Sequence, residues 1–66
     1  MNKSLDHKMI YAALHVKQVP FTLYLKDGNS AFAFCGNEIV ITDEGFIINY
    51  NEYNNITDVI KFIQEA

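Results

Sequence analysis

Two histidines, a single cysteine and one pair of adjacent acids are the side chains of this sequence best suited to hold a metal or attack a substrate. His7 and His15 fall in one helical stretch, eight residues apart. At 3.6 residues per turn that separates them by about 80° around the axis and about 12 Å along it, so they cannot ligate one ion together. A mixed zinc site of His15, Cys35 and a carboxylate lacks the ligand spacings that closed tetrahedral sites use. As a nucleophile, Cys35 would need a base and a cationic setting, and only the distant His15 or Lys17 could supply them. A lone cysteine of this kind reads instead as a small buried hydrophobe. Asp43 and Glu44 could share a proton or take up a cation, but they run into Gly45 in a turn, where acids are solvated. A chain this short also has little material for the cleft that glycoside or phosphoryl chemistry needs. Gly28, Gly36 and Gly45 stand singly, as turn glycines, in no phosphate-cradling pattern. The expectation is a protein that is not an enzyme and uses no cofactor or metal.

Contact chemistry is better represented. The stretch Asn49-Tyr50-Asn51-Glu52-Tyr53-Asn54-Asn55 sets two aromatics and an acid among amides. A loop carrying its own helix cap accounts for it, and so does a contact surface, since Tyr offers rigid area with one polar tip and Asn adapts its hydrogen bonds. Tyr50, Tyr53 and Glu52, together with Asp43 and Glu44, are therefore the candidate partner contacts. Charge is divided along the chain. Residues 1–33 carry four Lys against Asp6 and Asp27 (4 − 2 = +2), and residues 34–66 carry Lys61 against six acids (1 − 6 = −5), for the net −3. The acids Glu38, Asp43, Glu44, Glu52, Asp58 and Glu65 read as a solvated surface, or as a face for a basic partner, in the extreme a nucleic-acid mimic. Every cation is Lys. Without the planar fork of Arg, and with a negative total, the composition argues against direct nucleic-acid binding.

The elements that must position these residues follow from periodicity. Leu5, Met9, Ala13 and Val16 share one side of a helix over residues 4–18, widened by Ile10 and Leu14, with Ser4 placed to cap it and Pro20 to stop it. Short apolar runs then predict strands near 21–26, 30–35, 38–42 and 46–50, broken at Asp27-Gly28-Asn29, Gly36-Asn37 and Asp43-Glu44-Gly45, where Gly or Asn supplies the positive φ that hairpins require. Ile56, Val59, Ile60 and Ile63 follow the spacing of a final helix, with Asn55 as N-cap and Asp58 three residues on. The predicted fold is α+β, one domain over residues 1–66. It comprises an antiparallel three- to four-stranded meander sheet flanked by an N-terminal and a C-terminal helix.

At this size the core alone gives marginal stability, and Cys35 has no second cysteine to pair with. The later strands carry apolar residues on both faces, so a second copy of the chain is the natural cover, and a homodimer is expected. Apolar runs of three residues exclude a membrane-spanning helix, and the N-terminus lacks the features of a secretory signal, which together predict a cytoplasmic protein. Abundant Ile, Asn, Lys, Tyr and Phe suggest an A·T-rich genome or a phage of such a host. The run Phe21-Thr22-Leu23-Tyr24-Leu25-Lys26, the turns with Gly and Asn that follow, and the lack of Arg and Trp resemble the small hypothetical proteins of Bacillus prophages, in particular the Yopt family. That resemblance implies a homodimer whose subunits have one helix and three strands, and it implies no assigned activity. The function read from the sequence is an accessory protein that binds another protein, such as a host factor. The alternatives are a small-ligand or nucleic-acid module, or an acidic nucleic-acid mimic.

Overall fold

Asp27-Gly28, Cys35-Gly36 and Asn49-Tyr50 each have positive φ at both positions (52° and 81°, 47° and 77°, 49° and 73°), the backbone of the two-residue type I′ turn that joins neighbouring antiparallel strands. In the computed structural model, which describes residues 2–66, these turns and a loop over residues 42–45 link five strands: β1 (Phe21–Lys26), β2 (Asn29–Phe34), β3 (Asn37–Ile41), β4 (Phe46–Ile48) and β5 (Asn51–Tyr53). They form one antiparallel meander in sequence order, with β1 and β5 at the edges. Helices α1 (Lys3–Lys17) and α2 (Ile56–Glu65) precede and follow the sheet. The α+β class and the meander are as the sequence predicts, with one strand more. The resemblance had implied one helix and three strands.

Local chemistry explains the boundaries. The Asn2 side chain accepts the Leu5 N–H at 3.0 Å, so the α1 cap lies two residues ahead of Ser4, and Gln18 ends the helix in the left-handed conformation. For α2 the predicted cap forms: Asn55 Oδ1 accepts the Asp58 N–H at 2.9 Å, and its amide donates to the Asp58 carboxylate at 3.0 Å. The predicted strand over 46–50 ends at Ile48, because Asn49-Tyr50 turns the chain, and Ile48 then pairs with Asn51 of a fifth strand that the sequence did not predict. The second turn falls on Cys35-Gly36 rather than Gly36-Asn37. Cys35 is therefore exposed in a turn and not a buried hydrophobe at the end of β2.

Both helices cover the same face of the sheet. Cross-strand pairing puts Phe32, Ile39 and Ile48 in one row and Ile41 beside Phe46, and these pack with Phe34 against Ile10 and Leu14 of α1 and Val59 and Ile63 of α2. The inward line of α1 thus runs through Ile10 and Leu14, whereas Leu5, Met9 and Val16 stay exposed on its flank. On the opposite face the row Tyr24, Ala31, Val40, Ile47 crosses four strands, yet Ala31 and Val40 are buried. The reason is local. Tyr24 and Lys26 of β1 both reach Glu38 on β3, and to do so they lie over β2, where the small Ala31 and Ala33 leave room. Much of the apolar surface that the sequence left for a second chain is sheltered by the chain's own side chains.

Candidate functional site

Glu38 is the centre of the polar cluster on that open face. Its carboxylate accepts the Tyr24 hydroxyl and, at 2.8 Å, the Lys26 ammonium. The Lys26 bond first and the Tyr24 bond second hold Glu38 below the usual carboxylate range, and Glu38 in turn raises both Tyr24 and Lys26. The signs fix a pH window. A depressed acid contributes stability above its unfolded value of about 4.3, lost as pH falls through the folded one. The raised Tyr and Lys contribute below about 10, lost as pH climbs past their folded values. Glu38→Gln is therefore expected to lower the melting temperature relative to wild type most between about pH 5 and 9, with the gap closing at either extreme. Melts of both proteins at acid, neutral and alkaline pH check this, and a gap independent of pH would contradict it.

Around this cluster Asn49 ties two turns together. Its amide donates to Asn37 at 2.8 Å while its oxygen accepts the Glu38 N–H at 2.9 Å. Tyr50 follows at φ 73° and 93% exposed, with Lys26 5.9 Å from its ring centre. A bulky residue at positive φ is uncommon and strained, and Tyr50, the last residue of the strand expected over 46–50, lies in a turn instead.

The other candidate contacts lie elsewhere. Glu44, Glu52 and Tyr53 line one shallow depression of about 200 Å³ beside the loop over residues 42–45, but Tyr53 turns its ring toward Phe62 and the core. Asp43 is bonded to Lys3 at 2.8 Å, and that bond holds its carboxyl below the usual range. The five sequence candidates thus occupy separate places, with Tyr50 beside Lys26 and Glu38 and with Glu44, Glu52 and Tyr53 together. His7 packs on Phe32 with ring centres 5.0 Å apart, and His15 is exposed. Among the described residues no group of three His, Cys, Asp or Glu side chains is close enough to hold a metal ion, and no helix is long and apolar enough to cross a membrane.

The most apolar depression on the surface lies between the helices, where the sequence analysis placed no site. Met9, Ala12, Ala13 and Val16 of α1 and Ile60 and Gln64 of α2 line a groove of about 470 Å³ between the helices, with Val16 80% exposed. At its end the Lys17 ammonium donates to the Gln64 carbonyl at 3.1 Å, tying the two helices together. Alanines on one wall let another backbone approach closely. The missed signal was excess: α1 holds more apolar residues than one face can bury, so part of the predicted stripe had to remain outside. Compared with known proteins, the chain matches no family model, no curated protein and no solved structure.

Proposed function

We propose that this chain is a non-enzymatic accessory protein, homodimeric, that acts by binding a helix of another protein in the groove between α1 and α2. If the gene is carried by a phage, that partner is a host protein. The groove carries the reading: an open apolar trough running between two helices offers the ridges and spaces into which a third helix packs. Lys17 lines it, and Lys61 and Glu65 line the depression that adjoins it along α2; with two cations against one acid there, the bound helix is expected to carry its apolar face between acidic flanks. Glu38 and Asp43 each hold a lysine, which weakens the reading of the acids as a nucleic-acid mimic.

Immobilised wild type should retain a protein from lysate of the source cells, and Val16→Glu should reduce that capture at least about tenfold while shifting stability by no more than about 0.5 kcal/mol, as exposed substitutions do. Equal capture by Val16→Glu would move the contact to another surface, with Tyr50 the next to substitute. Failure to retain any protein reproducibly would overturn the reading. The volume of the groove also lies within the range of small-molecule sites, about 300–1,000 Å³. A melting temperature raised by an apolar ligand, and not by that ligand in Val16→Glu, would favour the small-ligand alternative.

A further inference from the structure

The two edges of the sheet are unlike. β5 is three residues long and polar, and Glu52 points from it, the kind of edge that resists pairing. β1 is twice that length, pairs with β2 without a bulge along its whole run, and reads Phe-Thr-Leu-Tyr-Leu-Lys. Leu23 and Leu25 stand on the helix-covered side of the sheet but extend beyond α1, 45% and 74% exposed. Tyr11 of α1, also exposed, meets Phe21 edge-on at 5.2 Å. Long, regular, apolar and unprotected, β1 has the properties of an edge built to accept another strand.

We propose that β1 pairs with β1 of a second copy, antiparallel and about a two-fold axis at Leu23, joining two sheets into one. This rests on the homodimer part of the functional reading and names its surface. The turn Asp27-Gly28 closes on the pair Lys26 and Asn29, and a bond from the Asn29 N–H to the Lys26 carbonyl is the one that defines such a turn. Alternation along the ladder then directs the main-chain groups of Lys26, Tyr24 and Thr22 toward β2 and those of Phe21, Leu23 and Leu25 outward. With the axis at Leu23, these three residues meet the partner's Leu25, Leu23 and Phe21, and every pair exchanges two hydrogen bonds. Apolar side chains then face apolar ones on the helix side, with Tyr11 standing over the place the partner's Leu25 takes. On the open side Thr22 meets the partner's Tyr24. Lys26 falls opposite the partner's Pro20, so no like charges oppose and no main-chain donor is stranded. The sequence is self-complementary in this register, which singles out a second copy as the occupant.

Light scattering over a dilution series should give twice the chain mass of 7.6 kDa. A single-strand interface is small, so dissociation is expected on the order of micromolar. Leu23→Pro removes an N–H that β2 does not use, which an edge strand tolerates, and it deletes two bonds at the axis, weakening association on the order of 30-fold. Circular dichroism reports whether that variant remains folded. Independently of stability, Leu23→Cys in a Cys35→Ser background should form an intersubunit disulfide on mild oxidation, because directly opposed residues lie about 5.5 Å apart between Cα atoms. Leu25→Cys in the same background should not, since its own copy lies several residues away. The inference is overturned by a monomer at concentrations on the order of 100 µM, by a folded Leu23→Pro that dimerises as wild type does, by cross-linking at Leu25 in preference to Leu23, or by a dimer that Val16→Glu dissociates. That last outcome would assign self-association to the groove. None of these measurements involves the helix-binding partner, so loss of the partner reading leaves them standing.

Discussion

Phe32→Ala is expected to destabilise the fold by about 3–5 kcal/mol, the range for emptying a buried aromatic site. Phe32 is fully buried in the middle of β2, with Leu23 and Ile39 as its cross-strand neighbours. His7 of α1 lies on its ring, and Phe21 stands 6.3 Å away. Three elements therefore converge on one side chain, and none can close the space without leaving its other contacts. A domain of this length has about 3–10 kcal/mol in total, so the variant should show a melting temperature lower by at least about 12 °C or no cooperative transition. Val16→Ala deletes apolar atoms from a side chain that is already mostly in water, and it should change stability by less than about 0.5 kcal/mol. Similar losses for the two would mean that the core does not centre on β2. Pairing through β1 adds one more expectation: the melting temperature of Phe32→Ala rises with protein concentration, because association stabilises only the folded chain.

How much of this was legible in the sequence differs from element to element. The second helix was read with its cap because Ile56, Val59, Ile60 and Ile63 have one inward side and Asn55 and Asp58 bond as their types dictate. The first helix was read as an element and misread in rotation. Its apolar residues occupy more than half the circumference, and only the packing of Ile10 and Leu14 on the sheet chooses which of them are inside. β5 is not legible because Asn51, Glu52 and Tyr53 have little strand character, and because the turn before it places an aromatic where glycine is favoured. The groove and the β1 edge depend on what tertiary packing leaves uncovered, and periodicity does not report that. The open sheet face taught the same lesson in reverse. Apolar residues on both faces of the later strands marked it as needing a cover, and the cover is Tyr24 and Lys26 crossing two alanines to reach Glu38.

Gly45→Ala should cost about 3 kcal/mol, more than alanine at either other glycine. The residue sits at φ 156°, which side-chain-bearing residues rarely adopt, and a Cβ added there would stand 2.5 Å from the Tyr53 carbonyl oxygen, a main-chain atom of β5. No rotamer change relieves that contact, so either the loop or the edge strand must shift. The loop is not free to yield. The Thr42 hydroxyl accepts the Gly45 N–H at 3.1 Å, and the Thr42 N–H donates to the Gly45 carbonyl at 2.8 Å, fixing Gly45 immediately before Phe46, a core residue of β4. Displacement of β5 would instead disturb its pairing with β4 at Phe46 and the packing of Tyr53 on Phe62. Gly28 and Gly36 provide the comparison, since both have positive φ but open space where a Cβ would go. Alanine there should cost only the backbone preference, about 1 kcal/mol. Thermal melts of the three variants separate the two effects. If Gly45→Ala melts no lower than Gly28→Ala, the close approach of β5 to the loop is not what holds that end of the sheet together. If it melts well below both, the sheet is anchored at that end by backbone proximity that no longer side chain could replace.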